Sequence, residues 1–262
     1  AEDTQHGLCA FCGAPIDTSG STIDHFRPRA HYWWLTWSWD NLWITCNICQ
    51  QKSDEFEIEI DEHSQQLMAP TIDHVDEAFE TSRENALLLD PAVDDPAQHL
   101  CVEPDSHGMW WWAPVPGSRR GLHTWKSLRL GRFDTSDDQV TFKRSCTYDR
   151  LNEHLDRRVE PRCKDVLQAI DMGDESHALT LWESLCRESL YRRSEHLVPT
   201  WWYLHRFHTN HGLSTHGMSM PSYPDDHPEA IPQRGFLPWP ADLPHGSFDA
   251  RTQLLVRHTR NT

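Results

Sequence analysis

Two Cys-x-x-Cys pairs, Cys9-Ala10-Phe11-Cys12 and Cys46-Asn47-Ile48-Cys49, stand roughly thirty residues apart. That is the spacing of one four-thiolate zinc site. Four thiolates leave the ion no open position, so a Zn²⁺ held here is expected to be structural. Chemistry must then come from the residues between the pairs, Thr22-Ile23-Asp24-His25-Phe26-Arg27-Pro28-Arg29 and Trp39-Asp40-Asn41-Leu42. Hydrolysis of a phosphodiester needs an activated water and something to stabilise the leaving 3′-oxygen. A neutral imidazole is the natural base near neutral pH, which makes His25 the candidate catalytic residue. Its other ring nitrogen needs a backbone or side-chain carbonyl to fix the tautomer, and Asn41 is a candidate to supply it. Asp24 offers hard oxygens suited to Mg²⁺, and as the strand neighbour of His25 it points to the opposite face. Such an ion would polarise the phosphate and neutralise the leaving oxygen. Arg27, Arg29 and Lys52 are candidate phosphate contacts. Plainer readings stand beside these: a capped turn for Asp24-His25, and solvated charges for the three cations.

The order C-x-x-C, D-H-x-x-P, D-N-L, then C-x-x-C followed by a polar residue and Lys52, resembles the HNH endonuclease family over residues 9–56. The resemblance implies two strands and a helix around one divalent metal, Mg²⁺ or Mn²⁺, with an orienting role for Asn41. The family usually places His or Asn as second metal ligand just after the second cysteine pair. Gln50 stands there in this chain, with Asp54 one helical turn on to help or replace it. A second segment, Leu87-Leu88-Leu89-Asp90-Pro91 with Asp94-Asp95-Pro96 and His99, resembles nuclease subunits of Septu-type and retron-linked anti-phage systems. There the nuclease works beside an ABC-type ATPase. This sequence has no P-loop, so such an ATPase would be a separate polypeptide. Alternatives for the segment are Pro-punctuated turns, with Asp95 capping a short helix from Pro96, or a second metal site of Asp90, Asp94 and His99.

The elements that must position these residues are legible in part. Ser21-Thr22-Ile23 and Leu42-Trp43-Ile44-Thr45 read as strands flanking a long loop. Asn47 to about Phe56 reads as a helix capped by Asn47. The loop's Trp33, Trp34, Trp37 and Trp39 are expected either to brace it as core or to stack on bases. After Trp110-Trp111-Trp112, Val140-Thr141-Phe142 reads as a strand. From Tyr148 the apolar spacing turns helical: Leu151, Leu155 and Val159, then Leu181 and Leu185, predict helices near 147–171, 175–190 and 192–211. The expected class is α+β. Residues 1–60 form a zinc-braced ββα-metal module, 61–146 a loop-rich region packed on it, and 147–262 a helical region with a Pro-rich tail around Trp239.

Composition bounds the function. Hydrophobic residues make up 37% of the 262, and 13 are Trp, a globular composition. No apolar run is long enough for a bilayer, and the start lacks the basic and apolar regions of an export signal, so no membrane association and a reducing cytoplasm are expected. The net charge of −16 argues against tight autonomous capture of nucleic acid, since phosphate contacts need cations. The expected function is a metal-dependent endonuclease cutting DNA, as effector subunit of an ATPase-coupled defence complex. Its rivals are a zinc-stabilised interaction module whose chemistry has decayed, and a stand-alone restriction-like or mobile-element HNH enzyme.

Overall fold

The structure is a computed structural model that describes residues 5, 7–16, 21–52, 56–60, 64–71, 79–130, 146–191 and 194–223. Asp54, the Val140-Thr141-Phe142 segment and the Pro-rich stretch around Trp239 lie outside the described residues. The fold is α+β: two separate antiparallel strand pairs and a helical C-terminal region.

The first pair joins β1 (Ser21–His25) to β2 (Leu42–Cys46), with Ser21 opposite Cys46, Asp24 opposite Trp43 and His25 opposite Leu42. Alternation along the strand sends Asp24 and His25 to opposite faces, as the sequence predicts. The connection of residues 26–41 is tightened by two 3-10 turns, Trp33–Leu35 and Trp39–Asn41. It is closed at its base by the Phe26 N–H donating to the Asn41 carbonyl at 2.9 Å.

Over its described residues the helix expected from Asn47 to Phe56 is not formed. A single 3-10 turn, Cys49–Gln51, follows β2, and Lys52 already has an extended backbone (ψ 153°). Two demands explain this. Cys46 and Cys49 must aim at one centre, and the Cys49 N–H donates to Cys46 Sγ at 3.5 Å rather than continuing a helix from Asn47. By Ile58 the chain is bridged antiparallel to Ala86, with the Leu87 N–H donating to the Glu57 carbonyl. Tertiary pairing has overridden a weak local propensity.

The middle region holds an unforeseen hairpin, β3 (Leu100–Pro104) paired with β4 (Trp110–Pro114). Asp105 organises its turn by accepting from the N–H groups of His107 and Met109 and from Trp111 Nε1. Asp95 does cap a short 3-10 helix, Pro96–Gln98, accepting from the Ala97 N–H at 2.9 Å. Helix α1 (Arg119–Ser127) follows, with the Ser118 hydroxyl accepting from the Gly121 N–H. A Cβ at Gly121 would sit 2.0 Å from the His99 carbonyl oxygen, so only glycine fits.

The helical region matches the periodicity. Helix α2 (Cys146–His154) runs through a π-turn (Leu155–Val159) into α3 (Glu160–Asp171), followed by α4 (Glu175–Ser189) and α5 (Leu197–Asn210). Helix α5 begins at Leu197, later than the expected 192, because His196 takes a left-handed backbone (φ 51°) and Pro199 sits in the first turn. Leu151, Leu155, Val159, Leu185 and Leu204 are fully buried, in one core with the four zinc-pair cysteines and Trp112. The helices therefore spend their apolar stripes on this chain's own interior. No helix among the described residues is long and apolar enough to cross a membrane.

Candidate zinc centre and candidate active site

The four cysteines converge. Cys9, Cys12, Cys46 and Cys49 are all buried, and their sulfurs lie within 4.8 Å of one another. The Cys12 and Cys46 sulfurs are 3.8 Å apart. A tetrahedral Zn(Cys)₄ with Zn–S near ~2.3 Å has edges of about 3.8 Å, so the set fits the ion. Two backbone N–H groups point at sulfur, Cys46 to Cys9 at 3.4 Å and Cys49 to Cys46 at 3.5 Å. Hydrogen bonds from the neighbouring thiols and the Cys49 N–H hold the Cys46 thiol far below the usual range, as a metal-binding thiolate requires. Hydrogen bonds to the Cys12, Cys46 and Cys9 thiols, and then burial, push Cys49 up, which a bound cation would reverse. Gly13 completes the first knuckle with φ +68°, accepting from the His196 N–H at 3.0 Å; a Cβ there would lie 3.3 Å from that nitrogen. The cysteine knuckle is thus fastened to the entry of α5.

His25 lies half-buried at the end of β1, its Nε2 3.1 Å from the Thr36 carbonyl. A carbonyl only accepts, so Nε2 carries the proton and Nδ1 keeps the lone pair. No partner among the described residues occupies Nδ1.

The orienting carbonyl therefore comes from Thr36, and not from Asn41. Asn41 is fully buried and works one step away: its Oδ1 accepts from the Arg27 N–H at 2.6 Å, and its Nδ2 donates to the carbonyls of Arg27 (3.1 Å) and Leu35 (3.3 Å). It pins the loop that delivers Thr36.

Arg27 departs from its expected role as well. Its guanidinium is buried, with Nε 2.7 Å from Glu84, Nη2 donating to the Thr81 carbonyl, and the cation over the rings of Phe26 and Phe56. Glu84 also accepts from the Tyr32 hydroxyl and the Leu67 N–H. Arg27 is a strut between the loop and the following segment, with no surface for a phosphate. Arg27→Met strands a buried carboxylate, and breaking such a pair typically costs about 3–5 kcal/mol. A urea titration should show that loss, and Arg27→Met with Glu84→Gln should recover part of it. An unchanged midpoint in the single variant would refute the strut.

Lys52 reaches back to Asp24, Nζ to Oδ2 at 2.6 Å, with both side chains mostly covered. The other Asp24 oxygen accepts from the His25 N–H at 2.9 Å. Gln50 is exposed on the 3-10 turn and Arg29 is exposed in the loop. Among the described residues, only the cysteines bring three or more Cys, His or carboxylate donors together. Of the hard-ion ligands implied by the HNH resemblance, Asp24 is already paired with an ammonium, Gln50 is exposed, and Asp54 lies outside the described residues. As they stand, these residues do not fit a divalent ion.

The Asp90, Asp94 and His99 set is not a metal site. Asp94 forms a two-pronged pair with Arg120, Nη1 to Oδ1 at 2.6 Å. Asp90 Oδ1 accepts from the Ala92 N–H, and His99 Nδ1 contacts the Ser118 hydroxyl at 2.8 Å. Each side chain serves a turn or a cap.

A buried histidine pair, His154 and His196, lies beside the zinc knuckle with rings 5.2 Å apart. Burial lowers His154 to about 4 and His196 to about 3. His154 faces Arg158 and His196, and Glu195 is 3.8 Å from its Nδ1. The ordinary value of 6.5 holds in the unfolded chain. Stability is therefore retained above pH 6.5 and falls as pH drops towards 4, by at most about 1.4 kcal/mol per pH unit from this group. Urea midpoints between those pH values should fall more steeply for the parent than for His154→Gln. Equal slopes would remove His154 as the cause.

The chain is 34% identical over 109 residues to the Septu protein PtuB of Bacillus mycoides (strain KBAB4), an overlap covering 36% of this chain and 34% of that protein. It thus spans about a third of the length of the curated relative it matches. No protein-family model and no solved structure matches the chain.

Proposed function

We propose that this chain hydrolyses nucleic-acid phosphodiester bonds, with DNA as substrate, as the HNH-type effector subunit of an anti-phage defence complex that includes a separate ABC-type ATPase. The observation that carries the nuclease reading is His25: its Nε2 faces a backbone carbonyl and its Nδ1 is left as a base. In this reading Nδ1 takes the proton from the attacking water, Thr36 holds the ring in that tautomer, and Arg29 is the exposed cation left for a phosphate contact. The divalent cation, Mg²⁺ or Mn²⁺, would supply charge neutralisation at the phosphate. Asp24 would hold it only with Lys52 displaced, since Lys52 Nζ lies 2.6 Å from Asp24 Oδ2. The similarity to a Septu protein over a third of the chain supports the defence assignment. The acidic balance supports an assembly in which a partner supplies much of the grip on nucleic acid.

One observation favours a second reading. The half-buried Asp24–Lys52 pair satisfies the carboxylate internally, as a zinc-braced interaction module without chemistry would. Cleavage of plasmid and linear DNA by the purified chain, alone and with its native ATPase, decides between them. Nicking that appears with Mg²⁺ or Mn²⁺ and disappears with EDTA supports the nuclease. No cleavage in any arm, with the complex intact, leaves the interaction module.

A further inference from the structure

The tryptophans of the 26–41 loop are not treated alike. Trp34 is buried, packed in a small core with Tyr32, Leu35 and Leu67, and Trp33 is partly buried against the same group. Trp37 is 72% exposed. It makes no hydrogen bond or ring contact among the described residues.

This exposure is not the looseness of a loop. Leu35 is fully buried and Ser38 nearly so. The Thr36 hydroxyl and N–H both donate to the Trp33 carbonyl, the Ser38 N–H to Leu35, and the Asn41 N–H to Ser38. Trp37 is held between two fastened residues with its indole in water.

Its position is what matters. Thr36 is the residue whose carbonyl lies 3.1 Å from His25 Nε2. Standard backbone dimensions then keep the Trp37 Cα within about 6 Å of that nitrogen. Ile23, 66% exposed, shares the strand face of His25. Asp24 and Asp40 flank residues 25–39 on either side. In a chain of net charge −16, residues 25–39 contain no Asp or Glu, and Arg29 is exposed among them. A flat aromatic and a half-buried imidazole joined through Thr36, with an exposed cation, Arg29, in the same loop, are the parts of a single-strand site: a surface for a base and a cation for the backbone.

We propose that Trp37 is a stacking platform for an unpaired nucleobase next to the scissile phosphate, so that the site engages single-stranded segments in preference to intact duplex. This rests on the nuclease reading for the word scissile; the stacking is tested by binding, without cleavage. A base can lie flat on Trp37 only when it has left its own stack, which a duplex resists and a single strand permits.

The test uses the full chain carrying His25→Ala, so that substrate survives, and fluorescence anisotropy of a labelled single-stranded oligonucleotide and of its duplex. Loss of one base–aromatic stack should weaken single-strand binding roughly 5- to 150-fold in Trp37→Ala. Trp37→Phe should retain most of the affinity, and duplex binding should change little. Thermal stability should not move, since the side chain is in water. In the cleaving parent, Trp37→Ala should raise KM for single-stranded substrate more than it lowers kcat. Unchanged single-strand affinity in Trp37→Ala overturns the proposal, as does an equal loss on duplex. Loss of assembly with a protein partner while oligonucleotide binding is intact also overturns it, since Trp37 would then be a docking residue. Failure of the nuclease reading is seen separately, as no cleavage by the parent or no effect of His25→Ala on cleavage.

Discussion

Chelating the zinc, or replacing Cys12 or Cys49 with Ser, should unfold the N-terminal region rather than merely loosen it. The four sulfurs sit in the main core, not at its rim. Structural zinc sites in small modules contribute roughly 10–16 kcal/mol of apparent binding energy. Whole domains rest on about 5–15 kcal/mol. The β1–β2 pair is marginal alone, so the region leans on this centre together with the Arg27–Glu84 strut. Loss of the ion would also release the knuckle at Gly13 from His196, and with it the start of α5. The expected measurements are one zinc per chain by atomic emission, a large fall in melting temperature with chelator, and recovery when Zn²⁺ is returned. Cys163→Ser serves as control. That thiol is also buried, and its burial pushes it up to about 12, but it has no place in the cluster. A purified chain without zinc, whose melt ignores chelators, would rule the centre out.

What the sequence made legible follows the reach of each signal. The two cysteine pairs are covalent spacing patterns, and they converge as expected. The helices after Tyr148 announce themselves by a period that burial then obeys at Leu151, Leu155 and Val159. Strands β1 and β2 have β-branched residues and a turn-rich connection, and they also form. The misplaced side chains share one cause, which is partners distant in sequence. Glu84 lies 57 positions from Arg27, and nothing local marks it as the residue that would draw the guanidinium inside. Lys52 reaches Asp24 across 28 positions. Thr36 acts through its backbone carbonyl, which leaves no trace in residue type. The β3–β4 hairpin did have a signal, Leu100-Cys101-Val102 and Trp110-Trp111-Trp112 on either side of an Asp-Ser-His-Gly turn. It is masked because a run of three tryptophans carries no alternation.

His25→Ala should lower cleavage roughly 10²- to 10⁴-fold, the usual consequence of removing a positioned general base, with zinc content and melting temperature unchanged. The second half of that expectation is as informative as the first. His25 makes one side-chain hydrogen bond, to a carbonyl that can turn to water when the ring is gone, and its ring is only half-buried. Neighbouring substitutions separate direct from indirect roles. Thr36→Ala should leave activity near the parent, because the carbonyl that orients His25 belongs to the backbone. Asn41→Ala should behave oppositely: it orphans the Arg27 N–H and the Arg27 carbonyl in a fully buried place, at a cost of about 1–3 kcal/mol for an unsatisfied buried group. Activity should then fall together with stability, since Asn41 acts by fixing the loop that presents Thr36. If His25→Ala cuts as well as the parent, the base is elsewhere. If Thr36→Ala is as damaging as His25→Ala while its melt is normal, the hydroxyl has a role that the hydrogen bond to Trp33 does not explain. The pattern expected here, with His25 essential, Asn41 damaging through the fold and Thr36 dispensable as a side chain, is one that a decayed interaction module could not produce.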